Sequence, residues 1–348
     1  MSKLGGDAGV VMKGFGPPYD VAINISSIVY GILGLFLCRL LVKEIFPKTK
    51  GWFLIYGIWL ASPLLYFMVY ESRMSHANAF FVNALFMYLL HKKLEDSSYK
   101  KFILIGLLLG LVTLIRWQDI IIVILPLSEI LIGVYKKQLK LIRAIKASFL
   151  LLSSFLVLFS LQMLAWKVVY GKFLLLPPSN TVIDPFSPHI SWFLFHPNYG
   201  AIIWHPILLI GILGLIFCSV LKSGKRFFGI SALIVLGSAI YINSSLSDWY
   251  GGGAGSFGAR RLISVLPLIF VGVLYLYENF GRKVKILTVI AIIFLSVWNI
   301  SLLPQAGKNW LWGNNQFSGL SGFSMINLSE IIKNDFKILK EQLERFAD

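Results

Sequence analysis

The residues best suited to chemistry cluster in SDWYGGGAGSFGARRLISVLP, positions 247–267 of the 348-residue chain. Here one acid (Asp248), an aromatic pair (Trp249, Tyr250), five glycines (Gly251, Gly252, Gly253, Gly255, Gly258) and two adjacent arginines (Arg260, Arg261) lie between two apolar runs. Glycines leave backbone N–H groups uncovered and permit positive φ, which suits a concave anion-binding loop. The arginines then open a helix, whose N-terminal dipole also favours negative charge. The chemistry implied is the holding of a phosphate-bearing ligand at a membrane edge; the alternative is a tight turn with two interfacial arginines.

Three smaller polar groups accompany it. Glu71, Arg73 and His76 form the knot ESRMSH, in which Glu71 is a candidate base and His76 a candidate donor to an oxyanion or phosphate. A hydrogen-bonded cap between two helices is the other reading. Arg116 and Asp119 interrupt an apolar run as RWQD, either pairing with each other or freeing Arg116 for a phosphate. His196 and His205 each precede a proline, which biases them towards a helix boundary, and Lys167 is either a further phosphate contact or a snorkelling lysine.

The elements that must position these groups are membrane helices. A mean hydropathy of +0.76, with 57% hydrophobic and only 14% charged residues, excludes a soluble globular domain. With a span of about 20 apolar residues, ten candidate helices emerge, at 21–42, 51–70, 77–90, two within 102–135 separated by RWQD, 147–170, 201–221, 227–242, 262–280 and 286–303. The sequence therefore predicts an all-α polytopic membrane protein of about ten transmembrane helices. Positions 1–20 read as an extracytoplasmic loop remnant, 21–303 as the transmembrane domain and 304–348 as a tail. In that tail Met325, Leu328, Ile332, Phe336, Leu339 and Leu343 keep helical spacing, predicting an amphipathic helix on the interface. Prolines 177, 178, 185 and 188 mark 171–200 as a long loop rather than a span.

The net charge of +16 lies mostly in short gaps between apolar runs, which indicates topology and excludes a nucleic-acid partner. Nineteen basic residues, from Arg39 and Lys43 to Lys285, fall in one set of alternate gaps, and about half as many fall in the other. The positive-inside rule makes the first set cytoplasmic and sends ESRMSH, RWQD, the proline loop and the glycine-arginine stretch outside. Arg73, Arg116, Arg260 and Arg261 then stand on the face where arginine is least expected, and a bound anion would account for them. Cys38 and Cys218 lie inside apolar runs, so no disulfide is predicted, and no metal-ligand spacing occurs.

Four stretches carry a resemblance: YESRMSHANAFFVNALFMYLL, GLLLGLVTLIRWQDIIIVILP, WFLFHPNYGAIIWHPILLIGILGL and DWYGGGAGSFGARRLISVLPLI. In that order they resemble bacterial GT-C class integral-membrane glycosyltransferases of the family-39-like group, which includes protein O-mannosyltransferases and the lipid A aminoarabinose transferase. The resemblance implies transfer of a sugar from a polyprenyl-phosphate donor to an acceptor on the outer face of the plasma membrane, with the bilayer and the lipid-linked donor as partners and no other cofactor. It makes Arg260 and Arg261, with Arg116, the donor-phosphate contacts. Asp248 either orients a sugar hydroxyl or pairs with an arginine, and Trp249 and Tyr250 either stack on the sugar or belong to the interfacial belt. The class carries its catalytic acid in the first extracytoplasmic loop, after a helix that these residues do not include. The sequence is accordingly expected to be an N-terminally truncated member, with Glu71 and His76 the candidate catalytic pair. A non-enzymatic lipid-binding or transport protein is the competing class, although the internal repeat common in transporters is not found.

Overall fold

A computed structural model of the chain describes residues 17–92, 99–175, 181–196, 200–221, 224–250, 257–258 and 260–311. Among the described residues the fold is all-helical, with one isolated antiparallel bridge, Ile183 to Leu246, in place of any sheet. The helices are α1 (Pro17–Ile45), α2 (Leu54–Leu60), α3 (Leu64–Val69), α4 (His76–His91), α5 (Tyr99–Ile115), α6 (Ile124–Tyr135), α7 (Leu141–Tyr170), α8 (Ile190–Phe195), α9 (Ala201–Trp204), α10 (Ile207–Val220), α11 (Arg226–Ser244), α12 (Leu266–Asn279) and α13 (Arg282–Leu311). Among the described residues, six helical stretches are long and apolar enough to cross a membrane: Pro18–Ile45, Trp117–Tyr135, Leu141–Tyr170, Arg226–Ser244, Arg260–Asn279 and Arg282–Leu303. The protein is thus an integral membrane protein built of apolar helices. Helix α5, at 17 residues, rises about 25 Å, short of a hydrocarbon layer of about 30 Å.

Where a predicted span departs from a continuous helix, a polar or proline residue explains the break. The run 51–70 begins as a 3-10 turn (Gly51–Phe53) and splits at Ser62 and Pro63 into α2 and α3. Asn299 of α13 closes that gap, donating from Nδ2 to Leu60 O at 2.7 Å and Ser62 O at 2.9 Å, so carbonyls left without helical partners are satisfied in an apolar setting. The run 201–221 breaks at His205 and Pro206. Arg116, extended at φ −147° and ψ 111°, separates α5 from the 3-10 turn Trp117–Val123 that leads into α6. Helices α1, α7 and α13 outrun the expectation most: α1 spans Pro17–Ile45 instead of 21–42, α7 begins at Leu141 instead of 147, and α13 continues to Leu311 instead of ending at 303. The amphipathic helix of the tail lies outside the described residues, as does most of the loop remnant before Pro17.

Of the six long stretches, the one ending in α12 is the most buried and α7 the least. Helix α12 sits at the centre, where Phe270 packs edge-on against Phe80 of α4 and Tyr275 against Phe46. Helix α10 lies against α12 with no side chain between the backbones: a Cβ on Gly214 would collide with Gly272, and one on Gly272 with Gly211 O. Helix α7 packs mainly on α5 and leaves Phe149, Val157 and Val168 exposed, as expected of a helix turned to lipid. The 3-10 turn that carries Arg260 and Arg261 (Arg260–Val265) is the N-terminal end of α12, so the most buried helix fixes the arginines.

Candidate functional site

Two polar breaks meet at one end of the helices. Helix α4 begins at His76, the last residue of the ESRMSH knot, and α5 ends just before Arg116. The Arg116 Nη1 donates to His76 Nδ1 at 2.9 Å, with both side chains buried. A guanidinium carries donors only, so Nδ1 accepts and the imidazole proton resides on Nε2. The ring of His76 also meets Phe67 edge-on at 4.5 Å. His76 therefore orients Arg116 in the first instance.

Asp119 does not form the ion pair with Arg116 that was one reading of RWQD. Its Oδ1 accepts from Ser264 Oγ at 2.8 Å and its Oδ2 from Asn83 Nδ2 at 3.3 Å. All three side chains are buried, and a buried carboxylate needs such donors to remain in place. The bond to Ser264 joins the turn after Arg116 to the turn that begins with Arg260.

Arg261 closes on Asp248. The Nη2 group reaches Asp248 Oδ2 at 2.6 Å and Asp248 O at 3.0 Å, so Asp248 takes the pairing role among its two alternatives. Asp248 is held by the end of α11, where the proline loop pairs with the chain: Asp184 N donates to Ser245 O at 2.8 Å, His189 N to Ser244 O at 2.9 Å and Ser247 N to Val182 O at 2.9 Å. Tyr241 Oη adds a bond to Pro185 O at 2.5 Å. Trp249 lies between the imidazoles of His189 and His196, each 5.8 Å away, and meets Tyr250 edge-on at 5.6 Å. These rings form one aromatic patch beside Asp248.

Arg260 rests one guanidinium nitrogen 3.5 Å from Met74 Sδ and lies within electrostatic reach of Glu71, Asp248, Arg116 and Arg261. Glu71 is half-buried between α3 and α4. Burial holds its carboxyl above the ordinary range, against the opposite pull of Arg260 and then of Arg73. Arg73 turns outward instead and pairs with Asp20 at 3.2 Å, with most of its side chain in solvent, so the knot separates into an inward Glu71 and His76 and an outward Arg73.

Of the five glycines only Gly258 is described; Gly251, Gly252, Gly253 and Gly255 lie outside. Gly258 has φ +59°, and a Cβ there would collide with the His205 ring. Next to it, Phe257 is buried and stacks on Tyr66 at 4.5 Å, and Tyr66 stacks on Tyr70 at 5.6 Å. His205 thus supports the backbone after the glycine loop from beneath. Lys167 is exposed and donates to Gly171 O at 3.0 Å, capping its own helix, which leaves it away from the arginines.

A cavity of about 290 Å³ adjoins Arg116, lined by Arg116, Trp117 and Gln118 on one side and Gln162 and Trp166 of α7 on the other. Its chemistry is that of hydrogen-bonding amides and flat aromatic faces next to a cation. The sequence reading missed Ser264, Asn83, Phe257 and Trp166. The first two were visible as lone polar residues in apolar runs, whereas nothing in sequence marks Phe257 or Trp166. Among the described residues no group of His, Cys, Asp or Glu side chains could hold a metal ion. No protein-family model matches the chain, and neither a curated protein nor a solved structure is significantly similar to it.

Proposed function

We propose that the chain forms the donor-binding membrane part of a GT-C-type glycosyltransferase of about ten spans, taking a sugar from a polyprenyl phosphate on the extracytoplasmic face. One observation carries the reading: Arg116, Arg260 and Arg261, drawn from positions 145 residues apart, lie near enough to feel one another's charge. Asp119, Asp248 and Glu71 offset part of the repulsion among these cations, and a phosphate between Arg116 and Arg260 offsets more of it. Arginine suits the task because its fork stays charged and grips two phosphate oxygens. In the transfer the acceptor oxygen attacks the anomeric carbon, the bond from that carbon to the phosphate oxygen breaks, and polyprenyl phosphate leaves with the electron pair. The acceptor proton passes to Glu71, a half-buried carboxylate within electrostatic reach of Arg260 and not tied up, as Asp248 is, in an ion pair with Arg261. Arg116 and Arg260 hold the leaving phosphate, Arg261 stays oriented by Asp248, and the patch at Trp249 and Tyr250 offers the sugar a flat apolar face.

The test is turnover of a radiolabelled polyprenyl-phosphate sugar by the full natural protein in membranes. Arg260→Ala lowers turnover by about a hundredfold or more, and Arg260→Lys also impairs it because the charge remains but the fork is lost. Unchanged turnover in Arg260→Ala overturns the phosphate assignment. Tight binding of the labelled lipid with no sugar released to any acceptor assigns the protein instead to the non-enzymatic lipid binders.

A further inference from the structure

The opposite end of α4 carries a second polar cavity that the transfer reaction does not use. His76 and His91 stand 15 residues apart on α4, which separates them by about 22 Å along the axis. Around His91 lies a cavity of about 210 Å³, bounded by Ser128 and Glu129 of α6, Ser231 of α11 and Lys136 at its rim. This end bears the basic gaps that the positive-inside rule assigns to the cytoplasm.

The hydrogen-bond directions in its wall are fixed. His91 Nδ1 lies 2.9 Å from Met87 O, and a carbonyl only accepts, so Nδ1 carries the proton and Nε2 presents a lone pair. That lone pair faces Glu129 Oε1 at 3.9 Å, and the other Glu129 oxygen stands 3.9 Å from Lys101 Nζ. Both separations exceed a hydrogen bond, and Glu129 makes none among the described residues. Ser128 Oγ donates to Leu125 O at 2.8 Å. The single Ser231 Oγ proton goes either to Phe227 O at 2.9 Å or to Ser128 Oγ at 2.7 Å, both within the wall. Both hydroxyl protons are thus spent inside the wall, and what remains towards the cavity is oxygen lone pairs.

Beside His91 the cavity thus presents acceptors and one carboxylate, Glu129, while its side-chain donors are the Lys136 ammonium and the Gln138 amide. We propose that it binds a primary ammonium group. Such a nitrogen carries three N–H donors, and at about 2.8 Å from each it reaches His91 Nε2 and Glu129 Oε1 together, since those atoms are closer than twice that length. Lys136, exposed just past the end of α6 with its ammonium 4.9 Å from the Phe227 ring centre, lines the same cavity and supplies a cation for a phosphate carried by the same ligand. Ammonium and phosphate are joined in this way in the headgroup of an ethanolamine phospholipid, and a soluble primary amine carries the ammonium alone.

Native mass spectrometry on the protein in nanodiscs tests the proposal, using equimolar phosphatidylethanolamine, its N,N-dimethyl derivative and phosphatidylcholine. Each methyl removes a donor, so retention falls along the series, by about tenfold from first to last. Glu129→Gln brings the ratio close to one, and Ser231→Ala, a smaller change in the wall that keeps the fold if Glu129→Gln does not, reduces it by about twofold to threefold. Lys136→Ala weakens retention of all three lipids and leaves their ratio unchanged. Displacement of the bound lipid by free ethanolamine extends the site to soluble amines, and its failure restricts the site to the lipid headgroup. Equal retention of all three lipids by the unaltered protein, or an unchanged ratio in both Glu129→Gln and Ser231→Ala, overturns the proposal. None of these readouts depends on sugar transfer.

Discussion

Asp119 Oδ1 accepts a hydrogen bond from Ser264 Oγ at 2.8 Å, so one buried carboxylate joins the turn after Arg116 to the turn that begins at Arg260. Ser264→Ala leaves that oxygen short of a donor in a place water does not reach. The expected cost is about 1–3 kcal/mol, read as a lower thermal midpoint in detergent. If Asp119 positions the arginines as well as stabilising the fold, Ser264→Ala also weakens binding of a polyprenyl phosphate at temperatures where the protein remains folded. An unchanged midpoint and unchanged binding would show that the two turns are held by something else.

The pair Arg116 and His76 makes a separate demand. His76→Phe keeps an aromatic ring against Phe67 but removes the acceptor for Arg116 Nη1. A buried guanidinium then loses a partner, and we expect about 2–3 kcal/mol of destabilisation, relieved by adding phosphate if the anion takes the place of the imidazole. His76→Phe with no loss of stability in phosphate-free buffer would contradict the pairing.

Gly258 is fixed by two independent causes, a positive φ and the His205 ring beneath it. Gly258→Ala should cost more than about 2 kcal/mol, of which about 1 kcal/mol is backbone strain. Adding His205→Ala recovers the steric share and not the backbone share. A double-mutant cycle measures the split, and strict additivity of the two changes would mean that the ring and the glycine do not touch.

The pH response of Glu71 follows from its burial. Its folded pKa lies above the ordinary carboxylate value, so the native state holds that proton more tightly than the unfolded chain does. The stabilising contribution of the group is complete below the unfolded pKa and is lost as pH rises through the folded one. Glu71→Gln should therefore gain in thermal midpoint relative to the parent as pH rises through that window. Turnover runs the opposite way, because a base works only when deprotonated: the parent rate rises through the same window and Glu71→Gln stays flat and slow. A parent rate that falls as pH rises through the window removes Glu71 from the base role.

Much of this architecture is legible in the chain because lipid imposes a simple grammar. Apolar length marked the long helical regions but not the short α8, which lies in the stretch read as a loop, and the positions of Pro63, Arg116 and Pro206 coincide with the breaks. The RWQD apex was foreseen as a break for the same reason that Arg116 is extended: a charged pair in mid-span costs more than an interrupted helix. The partners of that apex were not legible. Spacing suggested that Arg116 and Asp119 face each other, yet each turns to a residue far away in sequence, His76 and Ser264. Lys167 is a similar case, since it caps its own helix at Gly171 instead of reaching the site. Local spacing determines which groups share a turn, whereas packing between distant helices determines which way each one points.

Gly214 offers a last measurement. Gly214→Ala pushes a methyl into the α12 backbone at Gly272, and we expect about 2–3 kcal/mol of destabilisation from the forced separation of the helices. A thermal midpoint equal to that of the parent would show that α10 and α12 can part without cost.

The seam of Gly211, Gly214 and Gly272 also affects how a systematic replacement scan would read. Gly224, Gly237 and Gly281 have open space around them and will tolerate many side chains, whereas the three seam positions will reject almost all. A map of lost activity would place a strip of intolerant positions along α10 and α12, lined by backbone and aliphatic side chains and easily mistaken for a substrate path. Scoring the amount of folded protein beside activity removes the strip and leaves the arginines standing.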